Sequence, residues 1–153
     1  MSAVLKTEPE LRLMVVGDIV AVMAIEDDIY EFPWTPGNFR DSLGAGYSCW
    51  IYARDGEIIG YAIVIHAADE AHLLNLSIAA SWQRKGWGGR LLELVMTAAH
   101  EHGAAALFLE VRVSNTGAQQ LYARHGFSQI GMRRNYYPAK QGREDASVLS
   151  CAL

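Results

Sequence analysis

The chain has no long apolar run, no excess of positive charge, and only two cysteines and four prolines among 153 residues. Its hydrophobic stretches are short and interrupted, so none supplies the roughly 20 apolar residues that a membrane-spanning helix needs. The N-terminal "MSAVLKTEPELRLMVV" lacks the basic start and long apolar centre of a secretory leader, so a cytoplasmic location is expected. Cys49 and Cys151 lie far apart in apolar contexts, "YSCWIY" and "VLSCAL", which predicts two buried free thiols rather than a bridge or a nucleophile. A net charge of −4 argues against a standing nucleic-acid binder. The five histidines show no ligand spacing, and His100 and His102 are too close in a helix to share a face. No metal site is expected.

What the chain does have is the composition of a folded domain, with 51% hydrophobic and 20% charged residues. "ELRLMVV" alternates as a first strand. Asp18 can cap a helix running to about Tyr30, with Ile19, Val22, Met23 and Glu26 at helical spacing. "EFPWTPGN" breaks that pattern before a short second helix near Asn38–Leu43. Three β-rich runs follow, separated by Asp55-Gly56, a hairpin signal, and by the stretch 67–70. A helix from about Gly86 to Glu101 carries Leu91, Leu92, Val95, Met96 and Ala99 on one side and is closed by Gly103. "ALFLEVRV" is the next strand, a helix spans about Asn115 to His125, and "FSQIGMRRNYY" and "EDASVLSCAL" read as two final strands. There are no repeats and no linker, so residues 1–153 are expected to form one α/β domain.

Four places depart from pure scaffolding. "WQRKGWGGRLLE" puts three glycines and three cations into the start of a helix, where glycine costs about 1 kcal/mol against alanine. Bare backbone there suits either an anion held on unpaired N–H groups or a tight strand-to-helix turn. The loop lacks the Gly-Lys-Ser/Thr ending of a nucleotide-triphosphate loop and does not fit the dinucleotide fingerprint. Alternation places Glu110 with Phe108 and Arg112 on one sheet face, as a general base or as half of a Glu–Arg surface pair. Tyr122 shares a helical stripe with Ala118 and Leu121, where a tyrosine packs in the core or works in a site. "EFPW" and "NYYP" either pack under loops or line a groove. Glu26, Asp27, Asp28 and Glu31 crowd the end of the first helix, as a solvated acidic face or as a rim attracting a basic peptide.

Together these pieces resemble the GNAT acetyltransferases, and most closely their RimI-type ribosomal-protein alanine N-terminal acetyltransferases. The stretch from Gln83 to Gly88 matches the superfamily's Q/R-x-x-G-x-G/A loop. "LEVRVSNTGAQQLYARHGF" and "RRNYYPAKQGREDA" match the RimI-type pattern almost throughout, and "FPW" and "DEAHLLNLSIA" stand in the expected order. The resemblance spans nearly the whole chain. It implies a single GNAT-like domain, with a mostly antiparallel twisted sheet of about seven strands flanked by about four helices. It implies that Arg84, Lys85, Gly86, Trp87, Gly88 and Gly89 hold the pyrophosphate of acetyl-coenzyme A. Leu76, Ser77 and Ile78 would pair with its pantetheine arm and Asn115 would contact it. Glu110 becomes the general base, Tyr122 the general acid, and Phe32, Trp34, Tyr136 and Tyr137 flank the acceptor peptide. The chain departs from the family by carrying Gly89 where relatives commonly have a basic residue, and a bulky Trp87 between two glycines.

The implied partner is the N-terminus of a ribosomal protein beginning with alanine, with no nucleic acid, no membrane and no metal, and with the enzyme as a monomer. An α-amine of pKa about 7.8 is roughly a quarter neutral at slightly basic pH, against about a thousandth for a lysine of pKa about 10.4, so a modest base suffices for a protein N-terminus. Other protein N-termini, lysine or a small amine remain alternatives on the same scaffold. A non-catalytic acyl-coenzyme A sensor is a further one, against which the presence of both Glu110 and Tyr122 argues.

Overall fold

A computed structural model describes residues 8–153; part of the N-terminal stretch read against a secretory leader lies outside the described residues. Strand β1 (Glu10–Leu13) passes through one 3-10 turn into helix α1 (Ile19–Ile29). Asp18 stands at this junction but does not cap α1 with its side chain. Its carboxylate instead accepts two hydrogen bonds from the Arg12 guanidinium, both 2.9 Å, and one from the Val15 amide at 2.8 Å. Those bonds to Arg12 hold the Asp18 carboxyl below the usual range, against the opposing effect of burial. Helix α2 (Pro36–Gly44) begins two residues earlier than the sequence suggested, because "TPGN" is a capping motif. Thr35 Oγ1 accepts from the Asn38 amide, Asn38 Oδ1 accepts from the Thr35 amide, and Pro36 takes the first helical position.

Strands β2 (Ser48–Arg54) and β3 (Glu57–Ala67) join through Asp55 and Gly56, both at positive φ as a tight hairpin turn requires. Strand β4 (Glu70–Ile78) follows, then helix α3 (Trp87–Glu101), strand β5 (Ala106–Arg112), helix α4 (Thr116–Arg124), and strands β6 (Ser128–Pro138) and β7 (Arg143–Ala152). The described residues form one sheet in the order β1-β2-β3-β4-β5-β7-β6. Every pairing is antiparallel except β4 with β5, whose parallel arrangement needs the crossover that α3 supplies. The expected mostly antiparallel seven-stranded sheet with four α-helices is what forms.

Both faces of the sheet are covered. Leu91, Leu92, Val95 and Ala99 of α3 pack with Leu107, Leu109 and Val111 of β5 and with Tyr122 of α4. On the other face, Ile19 and Val22 of α1 and Phe39 of α2 pack with Ile51, Tyr61 and Ile63. The interior strand β3 is therefore apolar on both sides, with Ile59, Ala62 and Val64 in one cluster and Tyr61 and Ile63 in the other. Cys49 and Cys151 are buried free thiols.

One irregularity sets up the site. The β4–β5 ladder joins only Glu70–Leu73 to Ala106–Leu109. Beyond it β4 stays on β3 as far as Ile78, while β5 stays on β7 as far as Arg112. A bulge at Ile63/Val64 leaves Leu74 without a partner on β3, directly after the last β4–β5 pair. An extra residue bends its strand and increases its twist, and here β4 swings away from β5. The sheet forks.

Candidate active site

The fork opens a cleft of about 360 Å³. Its walls are the free edge of β4, the end of β5, the start of α4, the end of α1 with the segment after it, and Tyr137 of β6. Leu76 O accepts a long contact from Tyr30 Oη, 3.5 Å, and Ile78 O accepts from Gln83 Nε2 at 2.9 Å. Both carbonyls therefore face the fork rather than β3. A strand residue sends its N–H and C=O to the same edge, so the amides of Leu76 and Ile78 face it too.

Glu110 lies at the end of β5 with a side chain only 7% exposed. His72 Nε2 stands 2.5 Å from Oε2, and Arg133 Nε donates to Oε1 at 3.0 Å. Burial pushes the carboxyl pKa up, but the bond to His72 and the charges of His72 and Arg133 outweigh it, and the net shift is downward. Glu110 is an ionised carboxylate at neutral pH. It does belong to a Glu–Arg pair, though with Arg133 of β6; Arg112 pairs with Glu144 at 3.0 Å and spends a second bond on Pro138 O at 2.8 Å.

Tyr122 sits on the inward face of α4, its ring set edge-on to Phe127 with centroids 5.5 Å apart. The same side chain packs in the core and lines the cleft. Burial, with Tyr30 and Tyr137 adding to it, drives the phenol pKa far upward. Its hydroxyl keeps its proton and has no protein hydrogen-bond partner among the described residues.

Opposite Glu110, a second carboxylate is wholly enclosed. Glu26 Oε1 accepts from Tyr61 Oη at 2.6 Å and from Asn75 Nδ2 at 3.2 Å, and Oε2 accepts from the Trp34 amide at 2.9 Å. Ser77 Oγ donates to Asn75 Oδ1 at 2.6 Å and shares a 2.6 Å bond with Tyr30 Oη. Burial pushes the Tyr30 hydroxyl pKa up to about 12 against the lowering effect of its bond to Ser77, while part of the residue stays exposed. Glu26 therefore does not belong to the acidic rim; it anchors the turn into "FPW". Asp27, Asp28 and Glu31 are exposed, and Glu31 lies 3.8 Å from Lys140.

At the start of α3, Gly86 takes the left-handed conformation, φ +86°, as the N-cap. A Cβ there would meet nothing within 4 Å. The first helical hydrogen bond is Arg90 N–H to Gly86 O, so the amides of Trp87, Gly88 and Gly89 find no protein acceptor among the described residues. A Cβ on Gly88 would lie 3.7 Å from Leu121 and 3.8 Å from Ile78, which places this amide cradle beside the fork. The open space, the orphan amides and the free β4 edge fit a ligand with phosphates at one end and an amide-bearing arm. The Trp87 indole turns away from this cradle and packs against Tyr52 and Trp82, which leaves its amide for binding. Gly89 has a packing reason as well: a Cβ there would come within 3.3 Å of the His125 ring.

The remaining sequence-selected residues divide. Leu76, Glu110, Asn115, Tyr122, Phe32, Trp34 and Tyr137 all line the cleft. Asn115 also caps α4, its Oδ1 accepting from the Ala118 amide at 3.1 Å. Ser77 is buried with its hydroxyl on Asn75 and Tyr30, and its N–H and C=O, alternating with those of Leu76 and Ile78, face β3 rather than the fork, so the expected backbone pairing falls to Leu76 and Ile78 alone. Tyr136 does not reach the cleft. Between Arg133 and Tyr137 the register of β6 slips by two residues against β7; Tyr137 lines the cleft, and the Tyr136 ring lies over the Arg133 guanidinium, 5.6 Å away. His72, Arg133, Tyr30 and Asn75 were not singled out from the sequence. Only Glu26, a carboxylate within an apolar helical stripe, carried a visible signal.

A fork between parallel strands, an amide cradle beside it and a carboxylate facing a buried phenol are the features of an acyl-transfer site. The Acetyltransferase (GNAT) family model matches residues 19–127, and the chain belongs to that family. Among individual proteins, it is 38% identical over 136 residues to the [ribosomal protein bS18]-alanine N-acetyltransferase of Escherichia coli strain K12, covering 89% of this chain and 92% of that one. It is 36% identical over 144 residues to the enzyme of the same description from Haemophilus ducreyi, covering 94% and 99%. The crystal structure of the E. coli ribosomal-protein-S18-alanine N-acetyltransferase superposes with a TM-score of 0.88, at 35% identity and with 94% and 93% covered. A GNAT family acetyltransferase from Elizabethkingia anophelis, crystallised with acetyl-CoA bound, gives a TM-score of 0.68 at 25% identity, with 76% and 82% covered.

Proposed function

We propose that this protein transfers the acetyl group of acetyl-coenzyme A to the α-amine of a ribosomal protein that begins with alanine, in the cytoplasm. The observation that carries the reading is the forked cleft, which gathers Glu110, Tyr122 and the free edge of β4 beside the unpaired amides of α3. The bS18-alanine acetyltransferases, at 36–38% identity over nearly the whole chain, support the choice of acceptor.

Acetyl-coenzyme A supplies an activated thioester when bound. The amides of Trp87, Gly88 and Gly89, with Arg84 and Lys85 nearby, are the groups to hold its phosphates. The β4 edge from Leu76 to Ile78 takes its pantetheine amides, and Asn115 flanks it across the fork. Glu110 draws a proton from the incoming α-ammonium, directly or through a water, and leaves a neutral amine to attack. The Ile78 amide donates to the oxygen on which negative charge develops. Tyr122 Oη donates a proton to the sulfur as the C–S bond breaks, and the second proton of the acylated nitrogen restores the phenol through water. Phe32, Trp34 and Tyr137 confine the first residue of the acceptor. Tyr136 and the acidic residues Asp27, Asp28 and Glu31 meet the chain that follows.

Thiol release with a basic peptide beginning Ala-Arg tests this directly. Rapid release with the free peptide, and none once its α-amine is blocked, is the expected result even with internal lysines present. Equal rates for both would make lysine the acceptor. No release with any amine, despite measurable cofactor binding, would leave a sensor.

A further inference from the structure

The parallel β4–β5 ladder brings a second titratable side chain onto the carboxylate of the site. His72 on β4 pairs in register with Phe108, and Glu110 lies two residues beyond Phe108 on the same face of β5. The imidazole therefore leans along the strand direction to reach Glu110 Oε2 at 2.5 Å, while Arg133 occupies Oε1. We propose that His72 is a positioning residue for the acetyl transfer: its Nε2–H fixes the Glu110 carboxylate, and its proton load sets how strongly that carboxylate draws a proton from the α-amine. The inference rests on the reading of Glu110 as the base.

The chemistry of the contact supports it. A bare Nε2 lone pair aimed at a carboxylate oxygen would be repelled, so Nε2 carries hydrogen whether the ring is neutral or charged. No protein atom among the described residues binds Nδ1, and the side chain is 34% exposed. Arg133 stays charged at all working pH values. With His72 neutral, Glu110 has one cationic partner and is free to accept a proton. The ammonium N–H bond then breaks, an O–H bond forms on Glu110, and the electron pair stays on the amine nitrogen. With His72 protonated the carboxylate lies between two cations, and the same step must break two ion pairs.

The other groups around Glu110 do not compete for this role near neutrality. Tyr136 and Tyr137 of β6 both have pKa values raised by burial and stay neutral. The residue opposite His72 on β3 is Ile65, and on β5 it is Phe108. Across the cleft, Glu26 of α1 is spent on its three donors and Tyr30 is bonded to Ser77. Histidine is the side chain whose ordinary titration falls between pH 5 and 8.

The test is the pH profile of kcat/KM for the Ala-Arg peptide in the wild type and in His72→Gln, His72→Phe and Glu110→Gln, with acetyl-coenzyme A affinity by calorimetry and thermal melting for each. The wild-type acid limb is expected to carry two ionisations, that of the peptide amine and that of His72, so its logarithmic slope exceeds one. Gln at 72 keeps a neutral N–H donor, so His72→Gln retains kcat within a few-fold near neutrality and shows a slope of one. Phe at 72 loses the donor, and kcat falls roughly tenfold or more, within the range an acid–base group contributes, while cofactor affinity is unchanged. A unit slope in the wild type, a slope above one in His72→Gln, or full kcat in a folded His72→Phe overturns the proposal. If His72→Phe fails to fold, the His72→Gln slope decides. A fully active Glu110→Gln would instead overturn the assignment of the base itself, whatever the His72 variants do.

Discussion

The two walls of the cleft each present a buried glutamate, and the pair differ in what surrounds them. Glu26, on the α1 wall, receives three hydrogen bonds from neutral donors: a phenol, an amide side chain and a backbone N–H. Glu110, on the β5 wall, is met by an imidazole and a guanidinium, both of them partly open to solvent. Three neutral donors fixed around a buried carboxylate lock it in place and occupy most of its acceptor sites. Ionisable partners hold a carboxylate while leaving its charge adjustable. Burial alone therefore does not mark a catalytic carboxylate in this fold; the chemistry of its partners does.

That contrast breaks most sharply under amide substitution. Glu110→Gln is expected to lower kcat by roughly a hundredfold to ten-thousandfold, the range for removing an acid–base group, with the melting temperature little changed. Glu26→Ala leaves the Tyr61 hydroxyl, Asn75 and the Trp34 amide short of an acceptor in the interior. It should cost about 3 kcal/mol, a fall of roughly 6–12 °C in Tm for a domain of this size. Paired kinetics and scanning calorimetry check both. A stable, inactive Glu26→Ala would transfer the base role to the other wall.

Tyr122 sharpens the same comparison, because it is buried like Glu26 and has a free hydroxyl at the cleft. Tyr122→Phe keeps the ring that packs on Phe127, so stability should hold while kcat falls by about a hundredfold if proton return limits turnover. Steady-state rates across pH decide it, and full activity would leave Tyr122 a packing residue alone.

The smallest effect belongs to the exposed acids beyond the α1 wall. Neutralising Asp28 or Glu31, or raising ionic strength, should raise KM for the basic peptide by about threefold, since exposed charges are screened by salt. KM for acetyl-coenzyme A should change much less. Equal responses of the two constants would reduce these acids to a solvated face.

Most of the element order was legible from residue pattern, because the α3 stripe, the Asp55-Gly56 turn and the alternation through Glu110 are local signals. The polarity of each face was legible for the same reason: a period of two or of 3.6 decides which side chains share a side. Local chemistry misled where a tertiary partner competed. Asp18 has the character of a helix cap, but Arg12 and the Val15 amide take its carboxylate. Glu26 stood in line with three exposed acids, but Tyr61 and Asn75, on strands far along the chain, take it inside.

By itself the sequence determined the elements, the glycine-bare start of α3 and the chemical types available to the site, since these depend on residues within a few positions of one another. Only the tertiary structure decided where the sheet forks, which of the tyrosines in "NYY" turns inward, and that His72 and Arg133 close on Glu110. Those outcomes follow from strand register, which a one-residue bulge at Ile63/Val64 and a two-residue slip between Arg133 and Tyr137 alter. A one-residue change in pairing redirects every side chain beyond it, and no local periodicity encodes which partner lies across the ladder.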